Sequence, residues 1–408
     1  MRDGLLGCYL RCAKEYRDDY VFYAGPERRV VVVRPYSARG GLFKREAFER
    51  NTHPAKNLFG EGLLRLNGST WRDRRHLFAP PFRAESLDML VPVVQDEANR
   101  LITLWRSRSG TFKPQRDLSF SMLRILGRLI FGFDFDEQEH GGRSLHRSLI
   151  TLSMDAVLRH LLPRPLVWAM NWRELRFARR FMDGLCTQIL EKGRSTPFMD
   201  ALRGAVVEGQ IDRATAIDEI RTFLVAGHET SATAIAWTLA TLPEHPNVMT
   251  TLAQDLEASR NAQSLSDVER LETTARVVKE VMRLFPPVPI SCSRATQDLT
   301  LGRIEVARGT PIDVCSYVLH RLPWHWTDAE RFDPQRFLET PTPGTYFPFL
   351  LGAHTCLGAR LAMVELPLMT ARLVDAFDIR LPEGPPKRNL RLSLHPANLK
   401  IAVKPRAR

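Results

Sequence analysis

Phe349-Leu350-Leu351-Gly352-Ala353-His354-Thr355-Cys356-Leu357-Gly358 is the stretch that decides the fold. Phe, Gly, His, Cys and Gly stand in it at fixed offsets, and helix-forming sequence begins directly after the cysteine. Average residue frequencies supply this five-point pattern on the order of once in ten thousand chains of this length, or less. The competing reading is a buried structural cysteine in a glycine-rich turn. The spacing predicts a helix over about 357–377 after the loop, and a coil rich in Pro, Gly and aromatics over 323–352 before it.

The segment resembles the haem-binding loop of cytochromes P450, and Ala359-Arg360-Leu361-Ala362 and Glu365 follow as that family expects. The resemblance implies haem b (iron protoporphyrin IX) held through the sulfur of Cys356. A thiolate on haem iron pushes electron density in the direction that favours O–O cleavage. Backbone N–H groups at a helix N-terminus, approached closely through Gly352 and Gly358, keep such a sulfur anionic. By the same resemblance Phe349 shields the sulfur and His354 reaches a haem propionate.

Working outward, Ala226-Gly227-His228-Glu229-Thr230 lies in a stretch, 218–242, that reads as a long, largely buried helix. It resembles the family's oxygen-activation motif. Ala226 and Gly227 are then expected to leave room above the haem, and Glu229 with Thr230 to form the acid–alcohol pair that manages proton delivery. Taken alone, a helical Thr more often bonds back to a carbonyl of the preceding turn. His228 receives no role.

Glu280-Val281-Met282-Arg283 places opposite charges at i and i+3 on a helix predicted over 271–285. The family pairs such residues with an arginine before the haem loop, here Arg336, in a structural triad. Trp71 and Arg75 share a helix face at i and i+4, and both are donors, as a haem propionate needs. Arg294 matches another propionate ligand of the family. Pro367, inside the helix after the cysteine, is expected to kink or distort it.

Composition fits this reading. Hydrophobic residues make up 44% and charged residues 25% of 408, the balance of an ordinary globular protein. Lys and Arg outnumber Asp and Glu by 58 to 46, a net +12, yet no basic run interleaved with aromatics marks a nucleic-acid surface. An acidic redox partner suits the charge better. The first 20 residues carry no signal-peptide core or apolar run of membrane-spanning length, so a cytoplasmic protein without a transmembrane anchor is expected. Strands are predicted over 20–33 (a hairpin), 292–314 and 390–403.

The expected fold is therefore a single domain over 1–408. It is mainly α with a smaller β-rich portion, the haem lying between the long central helix and the cysteine-ligand loop. The function implied is a monooxygenase that places one oxygen atom from O2 in a lipophilic small molecule such as a terpenoid, steroid or fatty acid. Its electrons come from a ferredoxin or flavin reductase. Expected pocket walls are 51–66, Phe223, Ala226, 288–290 and 392–394, with a lid over 158–172. Two alternatives remain: a peroxide-dependent or O2-independent haem-thiolate enzyme, and a non-catalytic haem sensor. The intact Glu229-Thr230 pair speaks against the former, and the pair and lid together against the latter.

Overall fold

The computed structural model describes residues 4–24, 27–35, 37, 47–50, 55–83, 87–135, 143–161, 164–391 and 393–406, without the side chains of 143, 144, 146, 157, 159–161 and 164–171. The chain divides into two compact units, one of residues 1–51 and 276–359, the other of residues 52–275 and 360–408.

The first unit is built on a five-stranded sheet. Strands β1 (Tyr20–Ala24), β2 (Glu27–Val32), β3 (Phe48–Arg50), β4 (Ser291–Ala295) and β5 (Pro311–Val314) lie in the order β1-β2-β5-β4-β3. β2 and β5 run parallel, with Val31 opposite Asp313, and the other neighbours are antiparallel. The run Val30, Val31, Val32, Val33 is fully buried, as β-branched residues in a covered sheet should be.

A helix, Gly4–Tyr16, precedes the hairpin. It was not expected from the sequence, where charges mask its stripe of Leu6, Tyr9 and Ala13, all buried, at i, i+3 and i+7. Tyr9 anchors this stripe by donating its hydroxyl to Asp313 (2.8 Å), which also takes Arg29 through Nε at 2.8 Å and Nη2 at 2.7 Å.

The second unit is organised around the helix Arg213–Thr241, predicted over 218–242. Asp212 starts it by accepting from the Thr215 N–H at 2.7 Å. Apolar residues surround its C-terminal half, so the helix is buried on almost every side. It packs against the helices Gln115–Leu126 and Arg164–Lys192 and against the strand Leu394–Ala397. The Trp237 indole donates to the Leu394 carbonyl at 2.7 Å.

The helix Ala359–Ala376 keeps helical geometry on both sides of buried Pro367, so the expected distortion does not interrupt it. Strand Phe377–Arg380 continues the chain and pairs with Ile401–Pro405. The predicted lid over 158–172 falls largely outside the described residues: 162 and 163 are not described, nor the side chains of 159–161 and 164–171. Residues 51–54 and 392 of the expected pocket walls lie outside them too.

Candidate functional site

In the first unit, the loop carrying Cys356 closes on itself. The Cys356 N–H donates to the Phe349 carbonyl at 2.9 Å, and the Thr355 hydroxyl to the Gly352 carbonyl at 2.7 Å. The turn between them, Gly352–His354, is a single 3-10 turn. Gly352 has φ +74°, which favours glycine, and Leu350 has φ +67°, an uncommon conformation for a side-chain-bearing residue. Such backbone persists only where its surroundings fix it.

Of the six cysteines, Cys356 alone is exposed. Burial pushes the thiols of Cys186 and Cys315 up to about 12, so those two are inert small hydrophobes at neutral pH. Gly358 puts no side chain near the sulfur of Cys356; a Cβ there would lie 3.9 Å from Sγ.

The flanks of the loop carry cations. Arg50 on β3 donates through Nη2 to the His354 carbonyl at 3.5 Å, a contact that sequence spacing had not revealed. Arg294 on β4, about one-third exposed, donates to the Gly309 carbonyl and lies 3.8 Å from the Glu27 carboxylate.

The Glu280–Arg283–Arg336 cluster is assembled as a buried knot. Glu280 and Arg283 are both fully buried. Arg283 donates to the two oxygens of Glu280 at 2.6 and 2.8 Å, and Arg336 reaches Oε1 at 3.2 Å. Arg283 Nη1 also donates to the carbonyls of His320 and Ala329, both at 2.7 Å. Arg336 donates to the carbonyls of Thr327 (2.5 Å) and Asp328 (3.0 Å). Two guanidiniums thus pin the coil that precedes the cysteine loop.

In the second unit, Trp71 and Arg75 lie on the helix Gly68–Phe78, as their spacing required. Trp71 is buried, and the Arg75 guanidinium sits 5.5 Å from its ring centroid. On the long helix Thr230 donates to the Ala226 carbonyl at 2.9 Å, the back-bond expected of a helical Thr. Glu229 is half-buried and accepts from Ser393 Oγ at 3.0 Å; the strand region of the chain's tail therefore orients this carboxylate.

His228 is buried and points its Nδ1 at the Leu224 carbonyl, 2.6 Å away. Gly227 has a packing reason of its own. A Cβ there would come within 2.9 Å of Leu126 Cδ1, so its missing side chain admits the helix Gln115–Leu126 rather than only clearing space for a ligand.

The donor set suits an anionic macrocycle with a metal at its centre. An accessible thiol stands at the start of a helix, and an indole and a guanidinium, which only donate, share a face elsewhere. These are the parts of a haem-thiolate protein. A family model described as cytochrome P450 matches residues 2–403. Curated relatives include a cytokinin hydroxylase of Arabidopsis thaliana, 26% identical over 92% of this chain and 79% of its own length. Another is cytochrome P450 4V2 of Mus musculus, 26% identical over 78% of this chain and 68% of its own length. A crystal structure of a cytochrome P450 (CYP102L1) superposes with a TM-score of 0.88 at 22% identity, covering 100% of this chain and 99% of that one.

The chain belongs to the cytochrome P450 family and has its fold, mainly α with a smaller β portion. It is accordingly a haem-thiolate monooxygenase, an oxidoreductase whose family uses haem, O2 and a redox partner. No helix among the described residues is long and apolar enough to cross a membrane.

Proposed function

We propose that the protein binds haem b through Cys356 as a single functional domain. It places one oxygen atom from O2 in a lipophilic small molecule of terpenoid, steroid or fatty-acid type. The observation that carries this reading is the exposed Cys356 thiol in a loop closed by its own backbone at the start of a helix. When bound, haem supplies the site of oxygen reduction and substrate oxidation. Phe349, Gly352 and Gly358 shape the loop around the sulfur, and His354, Arg294, Trp71 and Arg75 hold the propionates. Ala226 and Gly227 form the helix surface that meets substrate.

The Thr230 hydroxyl donates its hydrogen bond to the Ala226 carbonyl. Its two lone pairs are thereby left to accept a hydrogen bond from water or from a protonated reacting atom. Glu229, held by Ser393, passes protons inward from solvent. Two electrons come from a ferredoxin or flavin reductase with an acidic face, in keeping with the net charge of +12, and this docking weakens with salt. That one relative is named a cytokinin hydroxylase supports hydroxylation of a small organic molecule as the reaction type.

The test is the absorption difference spectrum of the dithionite-reduced protein with and without carbon monoxide. A strongly red-shifted Soret band that disappears in Cys356→Ser is the expected result. A band at the position of histidine ligation overturns the assignment of Cys356.

A further inference from the structure

The start of the long helix holds a device that no role above uses. Glu219 is fully buried, and its carboxylate accepts from Arg74 Nη1 at 2.7 Å and from the Leu63 N–H at 2.9 Å. Its neighbours on the helix grip the same segment. Asp218 accepts from the Glu61 N–H at 2.8 Å, and Thr222 donates to the Phe59 carbonyl at 3.2 Å.

Two glycines make this approach possible. A Cβ on Gly60 would collide with the Asp218 carboxylate, and one on Gly62 with Thr222 Oγ1 and, at 2.8 Å, with the Asp218 carbonyl. Gly60 also has φ +58°. Segment 59–65 is therefore seated on the helix by three hydrogen bonds from or to its backbone and by two positions where only glycine fits, while Arg74, from the helix Gly68–Phe78, pairs with the same Glu219.

The helical repeat says what this seat faces. Residues i+7 and i+11 lie about 20° to either side of residue i around a helix. Glu219, Ala226 and Thr230 stand at those positions, so they share one face, with Glu219 about 10 Å before Ala226 along the axis.

We propose that Glu219 is a positioning residue: by bridging Arg74 to the Leu63 amide it holds segment 59–65 over the helix face that carries Ala226 and Thr230, and so controls entry of bulky ligands to that face. The idea rests on the proposed function in taking that face as the one that meets substrate.

The clamp is also titratable. Burial pushes the Glu219 carboxyl up to about 7, the Leu63 N–H and Arg74 pull it down, and Asp218 raises it again. The charged groups around it are Arg74 from the helix Gly68–Phe78, Glu61 and Arg65 from the clamped segment, and Asp218 and Arg221 from its own helix. Asp183, from the helix Arg164–Lys192, binds Arg221, and exposed Asp212 adds its charge to Arg74. Protonation of Glu219 removes its charge, which ends the ion pair with Arg74, weakens the bond from the Leu63 N–H and lets the segment lift.

Two readouts on the ferric holoprotein test this. In hydrogen exchange corrected for the intrinsic pH effect, protection of amides 61–65 should fall about tenfold between pH 8 and pH 6. In Glu219→Gln it should be low at both pH values. Association of 4-phenylimidazole with the haem, followed by its spectral shift, should quicken in parallel, while cyanide binding stays constant.

If Glu219→Gln and wild type exchange alike, or wild type shows no pH dependence, the clamp is wrong. Exchange that changes while 4-phenylimidazole association does not would overturn the link to ligand entry. Neither result touches the ligation of Cys356, which the carbon monoxide spectrum decides separately.

Discussion

Three buried glutamates show how the number of donors separates a permanent fixture from a movable one. Glu280, in the first unit, receives four N–H groups: two from Arg283, one from Arg336 and the Asp333 amide at 2.9 Å. Glu219, in the second, has one guanidinium and one amide. Glu365, also in the second, is buried on the helix after the cysteine and takes the Ser231 hydroxyl, with no ion pair to it among the described residues. Burial raises the carboxyls of both Glu219 and Glu365 to about 7. A carboxylate taken out of water stays charged only if the protein replaces the lost solvation, and one or two donors fall short. The first unit uses its glutamate as a rivet, while the second keeps two near their titration point.

The largest effect should come from breaking the rivet. Arg283→Ala leaves Glu280 buried with half its donors and also removes the bonds to His320 and Ala329. A loss of about 3–5 kcal/mol in urea unfolding is expected. A loss below about 1 kcal/mol would mean that the cluster is ornamental and the contrast false.

An intermediate effect belongs to Glu365. Its folded pKa of about 7 lies above its ordinary 4.5, so between those values the folded protein binds more protons than the unfolded chain. Stability contributed by this group therefore grows as pH falls through 7 and is complete below about 4.5. Glu365→Gln should shrink the difference in unfolding free energy between pH 8 and pH 5 by about 1–3 kcal/mol. An unchanged difference would show that the Ser231 hydroxyl alone is enough to keep the carboxylate charged.

The smallest effect is expected at Arg74. Arg74→Met removes the cation that pairs with Glu219, but that carboxyl can escape by taking a proton. The cost should be about 1 kcal/mol at pH 8 and close to nothing at pH 6, read from the same unfolding curves. An equal cost at both pH values would make Arg74 a second rivet.

Local features of this molecule were legible where chemistry restricts residue type at short spacing. The cysteine loop, the Glu280–Arg283 pair, the Trp71–Arg75 face and the extent of the long helix all follow from offsets of one to ten residues or from helical period. What escaped depends on partners far along the chain. Gly227 reads as room for a ligand until Leu126 is seen against it. Nothing near Glu219 in sequence announces Arg74 or Leu63, more than 140 positions away. Gly60 and Gly62 did carry a signal, since two glycines flanking a single residue commonly mark close backbone approach. The helix Gly4–Tyr16 escaped for another reason: its buried stripe is only three residues wide and is hidden among charges.

The five-stranded sheet has a consequence for how the chain comes to be folded. β1, β2 and β3 are complete by residue 50, but their partners β4 and β5 begin only at Ser291 and Pro311. At ribosomal speeds of ~5–20 residues per second, that gap is a wait of roughly 12–50 seconds. Throughout it the Val30–Val33 run, destined for full burial, has no β5 to cover it. The second unit draws its larger segment, residues 52–275, from the chain made during that wait. Synthesis therefore exposes an apolar strand edge for longer than a small domain needs to fold, and protection of the nascent N-terminus from aggregation becomes a condition of making this enzyme at all.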